Sequence, residues 1–407
     1  MAGLLKSNKH ESAVWKNCRI EDFCTTASGG TPLTTRREYY EGGHIPWLRS
    51  GEVAQGRVRY AEISITQAGL DNSSAKLFKK GTILVAMYGA TAGEVGILEF
   101  ESATNQAVCG VTPGPSVDGE FLFQALLLRK SALIKMAGGG AQPNISQEII
   151  RNFKIPLPPL AEQRKIAEIL RTWDEAIEAA EAELKAKQER KRWLAMRLIS
   201  GESRLSGCSS KWEKVRLADL FERVTEKNEE LCERCLTISA EKGLVDQREY
   251  FDRRISSADT SGYFLMKRGD FAYNRSYSNG YPYGVVKRLN AYDVGTVTTL
   301  YLVFTPRNRT FDPLYMEHVF DSGILNKGLR TIVQEGARAH GLLNVKAEDF
   351  FSLVVYIPDL NEQSKISKLL SDAQTQITDC ESHLELLRNQ KRGLMQKLLT
   401  GEVRVAA

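Results

Sequence analysis

Apolar residues fall into a seven-residue rhythm in two stretches of the chain. In the first, Ile166, Trp173, Ala180, Lys187 and Leu194 hold one seam position, and Leu170, Ile177, Leu184, Lys191 and Leu198 hold the other. In the second, Ile366, Ala373, Cys380, Leu387 and Leu394 alternate with Leu370, Ile377, Leu384, Lys391 and Leu398. A seven-residue period keeps one stripe turned toward a partner helix, so both stretches predict long helices that pair as a coiled coil. Pro158-Pro159 stand before the first run and Ser200-Gly201 after it, the usual order of proline ahead of a helix and glycine behind it. Asp359, three residues ahead of Glu362, is the expected cap of the second, which closes on Gly401.

The two stretches are copies. Residues 158–204 recur at 358–404 without a gap, through Glu162-Gln163 and Glu362-Gln363, Lys165-Ile166 and Lys365-Ile366, Gly201-Glu202 and Gly401-Glu402, and Arg204 and Arg404. A constant offset of 200 makes duplication the explanation. A helix from 162 to 200 is about 58 Å long at roughly 1.5 Å per residue. Antiparallel pairing of the two copies predicts a rod with a globular module at each end and an approximate two-fold axis across it. Lys191 and Lys391 sit at matching seam positions; they either snorkel to solvent or contact a partner or a phosphate.

Each helix closes a segment of its own. Trp15, Arg19, Ile20 and Asp22 open the first and are echoed by Trp212, Arg216, Leu217 and Asp219; Lys80–Val85 is echoed by Arg268–Tyr273. Between such anchors the segments differ almost completely. Short β-rich runs (Thr82–Met87, Val285–Arg288, Thr296–Phe304) alternate with helical runs (Phe121–Met136, Asp312–Asn326), which predicts mixed α/β modules of about 140 residues. The expected layout is a tail at 1–14, a module at 15–156, a helix at 157–200, a linker at 201–211, a second module at 212–356, a second helix at 357–400 and a tail at 401–407. The fold class is therefore α+β: two mixed α/β domains joined by two long antiparallel helices that form a coiled coil, in a pseudo-two-fold arrangement.

Composition adds little to this picture. The 407 residues are too many for one core, and 42% hydrophobic with 26% charged residues is ordinary for a soluble protein. A net charge of +5 permits an anionic partner without demanding one. Seven scattered cysteines form no disulfide framework, the first residues carry no apolar signal core, and no run is long enough to span a membrane, so the cytoplasm is expected.

Catalytic constellations are missing from the pattern. No GxxxxGK[ST] loop, HExxH motif or paired CxxC occurs; Cys232-Glu233-Arg234-Cys235 stands alone, and the spacing of Gly89, Gly93 and Gly96 is not GxGxxG. No catalytic or metal-binding residue is expected. What the modules do carry are side chains suited to nucleic acid, since Arg, Asn and Gln can read base edges while Ser, Tyr and cations hold phosphates. In the first module these are Arg36, Arg37, Trp47, Arg49, Arg57, Arg59, Tyr88 and Gln106. In the second they are Arg253, Arg254, Tyr273, Asn274, Arg275, Ser276, Tyr277, Asn279, Arg338 and His340. The helix-pairing set is Ile166, Leu170, Trp173, Ile177, Leu184, Leu194 and Leu198 with Ile366, Leu370, Ile377, Leu384, Leu387, Leu394 and Leu398.

The run Leu157-Pro158-Pro159-Leu160-Ala161-Glu162-Gln163-Arg164-Lys165-Ile166, with its partner Tyr356-Ile357-Pro358-Asp359-Leu360-Asn361-Glu362-Gln363-Ser364-Lys365-Ile366, resembles the specificity subunit of type I restriction-modification systems. The likeness covers essentially the whole chain; Asp359 in place of a second proline and Gly393 within the second helix are its departures. The resemblance implies a non-catalytic protein whose two target-recognition domains each read one half of a split, asymmetric duplex DNA target. It also implies two modification subunits as partners, carrying S-adenosylmethionine and methylating adenine. Restriction subunits using ATP and Mg would complete the complex. The helices would set the unread spacer, at most roughly 17 base pairs at about 3.4 Å each. A coiled-coil scaffold joining two protein-binding modules is the alternative, and a free-standing nuclease or methyltransferase the third.

Overall fold

The computed structural model describes residues 15–138, 143–229, 232–239, 242–251, 259–277, 280–308, 310–333 and 343–406. Both heptad runs are continuous helices, the first long helix at Leu160–Ile199 and the second at Leu360–Thr400. The Asp359 carboxylate accepts the backbone N–H of Glu362 at 2.9 Å, the capping bond expected from the sequence. Both helices stop on a glycine at positive φ, Gly201 at 74° and Gly401 at 80°. Beyond each glycine the chain folds back, with Ser203 N–H donating to Arg197 O and Val403 N–H to Lys397 O at 3.0 and 3.1 Å.

The chain separates into two compact units that divide the long helices between them. The first is formed by the described residues within Met1–Glu181 and Ser382–Ala407, the second by those within Ala182–Glu381. Each unit thus holds one module, the first half of the helix that follows it and the second half of the other helix. In the first unit the halves run antiparallel, since Glu162 meets Arg404, Asp174 meets Lys391 and Glu181 meets Arg388.

A five-stranded sheet centres the first unit, in the order Cys24–Ser28, Val108–Pro113, Ile83–Ala86, Val95–Leu98 and Arg57–Val58. The strand Ile83–Ala86 is buried at every residue because both faces of the sheet are covered. Ile83 and Val85 join a core with Phe121, Leu122, Ile166, Leu170 and Leu398, while Leu84 and Ala86 turn to the other side with Leu48, Val58 and Phe78. The ends of the heptad seam are therefore also part of the module core. Burying a side chain as fully as Leu170 contributes about 2 kcal/mol.

The second unit is built the same way. Its sheet runs Phe221–Val224, Tyr301–Pro306, Phe271–Asn274 and Val285–Arg288, which repeats the first four strands of the other sheet in order and in antiparallel sense. Phe271 and Tyr273 pack toward Leu198, Ile366 and Leu370, and Ala272 faces away with Leu236, Met266 and Val297. The modules, which differ almost completely in sequence between their anchors, thus share a core. The expected run Thr296–Phe304 is two strands, Val294–Val297 and Tyr301–Pro306, in different sheets. The helical run Phe121–Met136 is likewise two helices, Gly119–Leu128 and Lys130–Met136, and Asp312 caps Pro313–Asp321 rather than lying inside a longer helix. No helix among the described residues is long and apolar enough to cross a membrane.

Candidate nucleic-acid interface

Each module is tied to the helices by the residues that the duplication repeats. Glu162, at the start of the first long helix, is buried, and its carboxylate accepts both Nε and Nη2 of Arg404 at 2.7 Å and the indole N–H of Trp15 at 3.3 Å. The Arg404 guanidinium lies 5.4 Å from the Trp15 ring centroid, and the ring packs against Gly401, where a Cβ would sit at 3.4 Å. The second unit reproduces this latch. Glu362 accepts Arg204 at 2.7 and 2.6 Å and the Trp212 indole at 3.3 Å, with Arg204 5.5 Å from the Trp212 centroid. The hydrogen bond to the carboxylate raises both guanidinium pKa values above their ordinary level. Next to each latch a buried glutamine fixes the module's helix: Gln163 Oε1 accepts Asp118 N–H and Gln363 Oε1 accepts Asp312 N–H, both at 2.8 Å.

So held, the sheets present corresponding rims. In the first unit the end of strand Ile83–Ala86 meets two loops, with Met87 N–H donating to Ala107 O at 2.8 Å and Ile145 N–H to Met87 O at 2.7 Å. Tyr88 and Gln106 are exposed on this rim, and Gln106 contacts Thr31. The chain enters through Gly29 and Gly30, which no other residue could replace without movement: a Cβ would fall 2.2 Å from Thr104 O and from Ser74 Oγ respectively.

Trp47 is not a base-contacting residue here. Its side chain is buried, its indole N–H donates to Gly30 O at 2.9 Å, and the edge of Tyr40 packs on it at 6.3 Å. A large aromatic in a short strand is as well suited to core as to stacking, and packing decides. Trp47 instead anchors the loop that carries Arg36 and Arg37, both exposed; Arg36 pairs with Glu38 and lies 5.7 Å from the Tyr39 ring centroid, and Arg37 pairs with Glu41. Arg49 is exposed beside Glu52 and Glu62.

Two other arginines are spent on the helix. Arg57 is nearly buried and donates to Glu120 at 2.6 and 3.0 Å and to Glu99 at 3.2 Å, 3.6 Å from Asp174 of the first long helix. Burial alone would lower its pKa, but the surrounding carboxylates more than reverse that. Arg59 makes two 2.8 Å bonds to Glu178 on the same helix. Arg57→Ala is expected to cost about 3 kcal/mol, because it strands partly buried carboxylates, and chemical denaturation of the full chain measures this.

In the second unit, Tyr273 is fully buried, stacked 4.9 Å from Phe350, with its hydroxyl donating to Tyr283 O at 2.6 Å. Arg275 is half-buried and donates to Leu300 O at 2.8 and 3.1 Å and to Val345 O at 3.0 Å, so it staples the rim; burial lowers its pKa. Neither side chain is free to read a base. Asn274 and Ser276 are half-exposed, with Ser276 at the position equivalent to Tyr88, and Tyr277 beside it stands 62% exposed. Arg253, Arg254, Asn279, Arg338 and His340 lie outside the described residues.

Of the pairing set, Ile166, Leu170, Leu198, Ile366, Leu370, Ile377, Leu384 and Leu398 are buried, and Trp173, Ile177, Leu184, Leu194, Leu387 and Leu394 are half-buried. Sequence reasoning passed over exposed Leu33, Tyr60, Tyr250 and Phe251 on the module surfaces, for which no repeat or motif gave a signal. It noted Glu162, Glu362, Arg204 and Arg404 as repeats without assigning the latch, although four charged residues kept through a duplication were a usable sign.

Residues 13–188 match the family model described as the type I restriction modification DNA specificity domain. The chain is similar to the MjaIX specificity subunit of Methanocaldococcus jannaschii, with 32% identity over 169 residues; that match spans 40% of this chain and 39% of the relative. It is also similar to the MjaVIII specificity subunit of the same organism, 25% identical across 96% of this chain and 93% of the relative. Among solved structures, the type I restriction-modification S subunit from M. genitalium shares the fold with a TM-score of 0.57 and 16% identity, over 97% of this chain and 99% of that one.

Proposed function

The chain belongs to the specificity-subunit family of type I restriction-modification systems, and from that premise we propose that it reads a bipartite, asymmetric DNA target and docks the catalytic subunits. In this reading target-recognition domains at 15–156 and 212–356 each contact one half-site. The long helices carry two adenine-methylating modification subunits and, through them, restriction subunits. S-adenosylmethionine belongs to the former, ATP and Mg to the latter, and this chain supplies specificity rather than catalysis.

One observation carries the proposal. Both units keep the same sheet order and the same Glu–Arg–Trp latch, while their rims offer different chemistry: Thr31, Tyr88 and Gln106 on one, Asn274, Ser276 and Tyr277 on the other. A scaffold conserved through duplication with divergent exposed surfaces suits two readers of different sequences. Partners that methylate a base need it out of the stack, which places the reading surface beside, not at, the chemistry.

The experiment compares binding of duplex panels to this chain together with its modification subunit. Tyr277→Ala is expected to weaken discrimination by about 1 to 3 kcal/mol in the half-site read by the second module, with melting unchanged. Arg275→Ala is expected to lower melting of the second unit because it removes three bonds to rim carbonyls. Equal loss over both half-sites for Tyr277→Ala would count against readout, and absence of any sequence preference at moderate salt would favour a protein-binding scaffold.

A further inference from the structure

The duplicated units differ in charge at a half-buried junction between the long helices. In the first unit Lys391 of the second long helix pairs with Asp174 of the first, and Gln124 donates its Nε2 to the same carboxylate at 2.7 Å. The 200-residue offset replaces Asp174 with Gln374 and Lys391 with Lys191. The shared helix caps give the third member: Gln124 lies six residues after Asp118, as His318 does after Asp312. The second unit therefore keeps the cation and lacks the anion.

The consequences are visible around Lys191. Its ammonium bonds to Gln374 Oε1 and makes no ion pair with a described residue, and Nε2 of His318 is buried without a hydrogen-bond partner. The gap opens into a cleft of about 460 Å³ that Lys242, Lys287 and Arg288 also line. Lys287 and Arg288 are matched by Asp321 at 2.7 Å and Glu317 at 3.1 Å, which leaves Lys191 and Lys242 as surplus positive charge. Burial lowers the Lys191 pKa; Asp321 opposes that and Lys287 adds to it, and the net direction is down. A half-buried lysine that has no ion pair of its own, and feels only the Asp321 carboxylate already bonded to Lys287, is costly, and an anion delivered from outside would reduce the cost.

We propose that this cleft binds a carboxylate from outside the chain, free or carried on the side chain of a docked protein, at the place Asp174 fills in the first unit. Inorganic phosphate is larger and more highly charged than the group that occupies the equivalent position, so a carboxylate is the better match.

Melting of the full chain in sodium acetate against sodium chloride at equal ionic strength tests this. Acetate is expected to raise melting of the second unit by about 2 °C, and Lys191→Met to abolish the response. Gln374→Asp, which writes the first unit's carboxylate into the second, should raise melting in chloride and also remove the response. A wild type indifferent to acetate, or an equal response in Lys191→Met, overturns the proposal. A second arm separates the sources and rests on the docking reading above. If the carboxylate is a protein side chain, Gln374→Asp weakens binding of the modification subunit about tenfold. If it is free, that affinity is unchanged and the acetate response persists in the complex. Failure of the subunit to bind the wild-type chain would instead sink the docking reading and leave the acetate result standing.

Discussion

Arg404→Ala is expected to destabilise the first unit by about 3 kcal/mol and leave the second nearly unchanged, with Arg204→Ala doing the reverse. Each arginine gives two hydrogen bonds to a carboxylate that is almost completely inaccessible, so truncation leaves Glu162 or Glu362 buried with only an indole N–H as partner. The penalty comes from the stranded charge, not from the lost contact area. It follows that Glu162→Gln on top of Arg404→Ala should recover a large part of the loss, because a neutral amide is far cheaper to bury. Amide hydrogen exchange resolves the two units separately. The prediction fails if both units lose protection together in each single variant, or if Glu162→Gln gives no recovery.

Deleting one heptad from the middle of each helix, residues 179–185 and 379–385, is expected to shorten the unread spacer by about three base pairs. Seven residues correspond to roughly 10 Å of helix, and base pairs are spaced about 3.4 Å apart. The deletion keeps the heptad phase, both latches, the Asp174–Lys391 pair and the Arg59–Glu178 bonds, because all of these lie outside the removed segments. Removing residues 179–185 from the first helix only should be far more damaging, since it leaves one heptad of the second helix, with the buried Ile377 and Leu384, without its facing partner. The readout is the methylated motif in cells carrying the altered chain with its modification subunit. An unchanged spacer in an active complex would refute the ruler.

The helices were legible because their information is local. A heptad, two prolines and a glycine lie within one stretch of chain, and the observed boundaries at Leu160–Ile199 and Leu360–Thr400 fall within two residues of that punctuation. The shared core of the modules was legible at one strand pair only, through the echo of Lys80–Val85 in Arg268–Tyr273. Its strands are about four residues long and buried on both faces, so Ile83–Ala86 shows neither alternation nor a capping signal, and loops of different length shift its counterpart Phe271–Asn274 away from the 200-residue offset.

Only part of the residue set that the sequence offered for DNA contact is free on the module surfaces. Tyr88, Gln106 and Tyr277 do lie on corresponding rims, but Trp47 and Tyr273 went to the cores, and Arg57, Arg59 and Arg275 to internal partners. An arginine in a basic run cannot be assigned to solvent, DNA or a buried carboxylate without knowing what folds beside it. Glu120 lies 63 residues from Arg57 and Glu178 lies 119 from Arg59, beyond any local pattern. The latch was hidden for the same reason, since 242 residues separate Glu162 from Arg404.

In the proposed function one chain carries two independent readers of a split target. Methylome sequencing of cells that express it with its modification subunit tests this most directly. Two unequal half-sequences separated by a constant unread spacer are predicted, with Tyr277→Ala relaxing one half alone. A continuous palindromic motif, or no methylated motif at all, would contradict it.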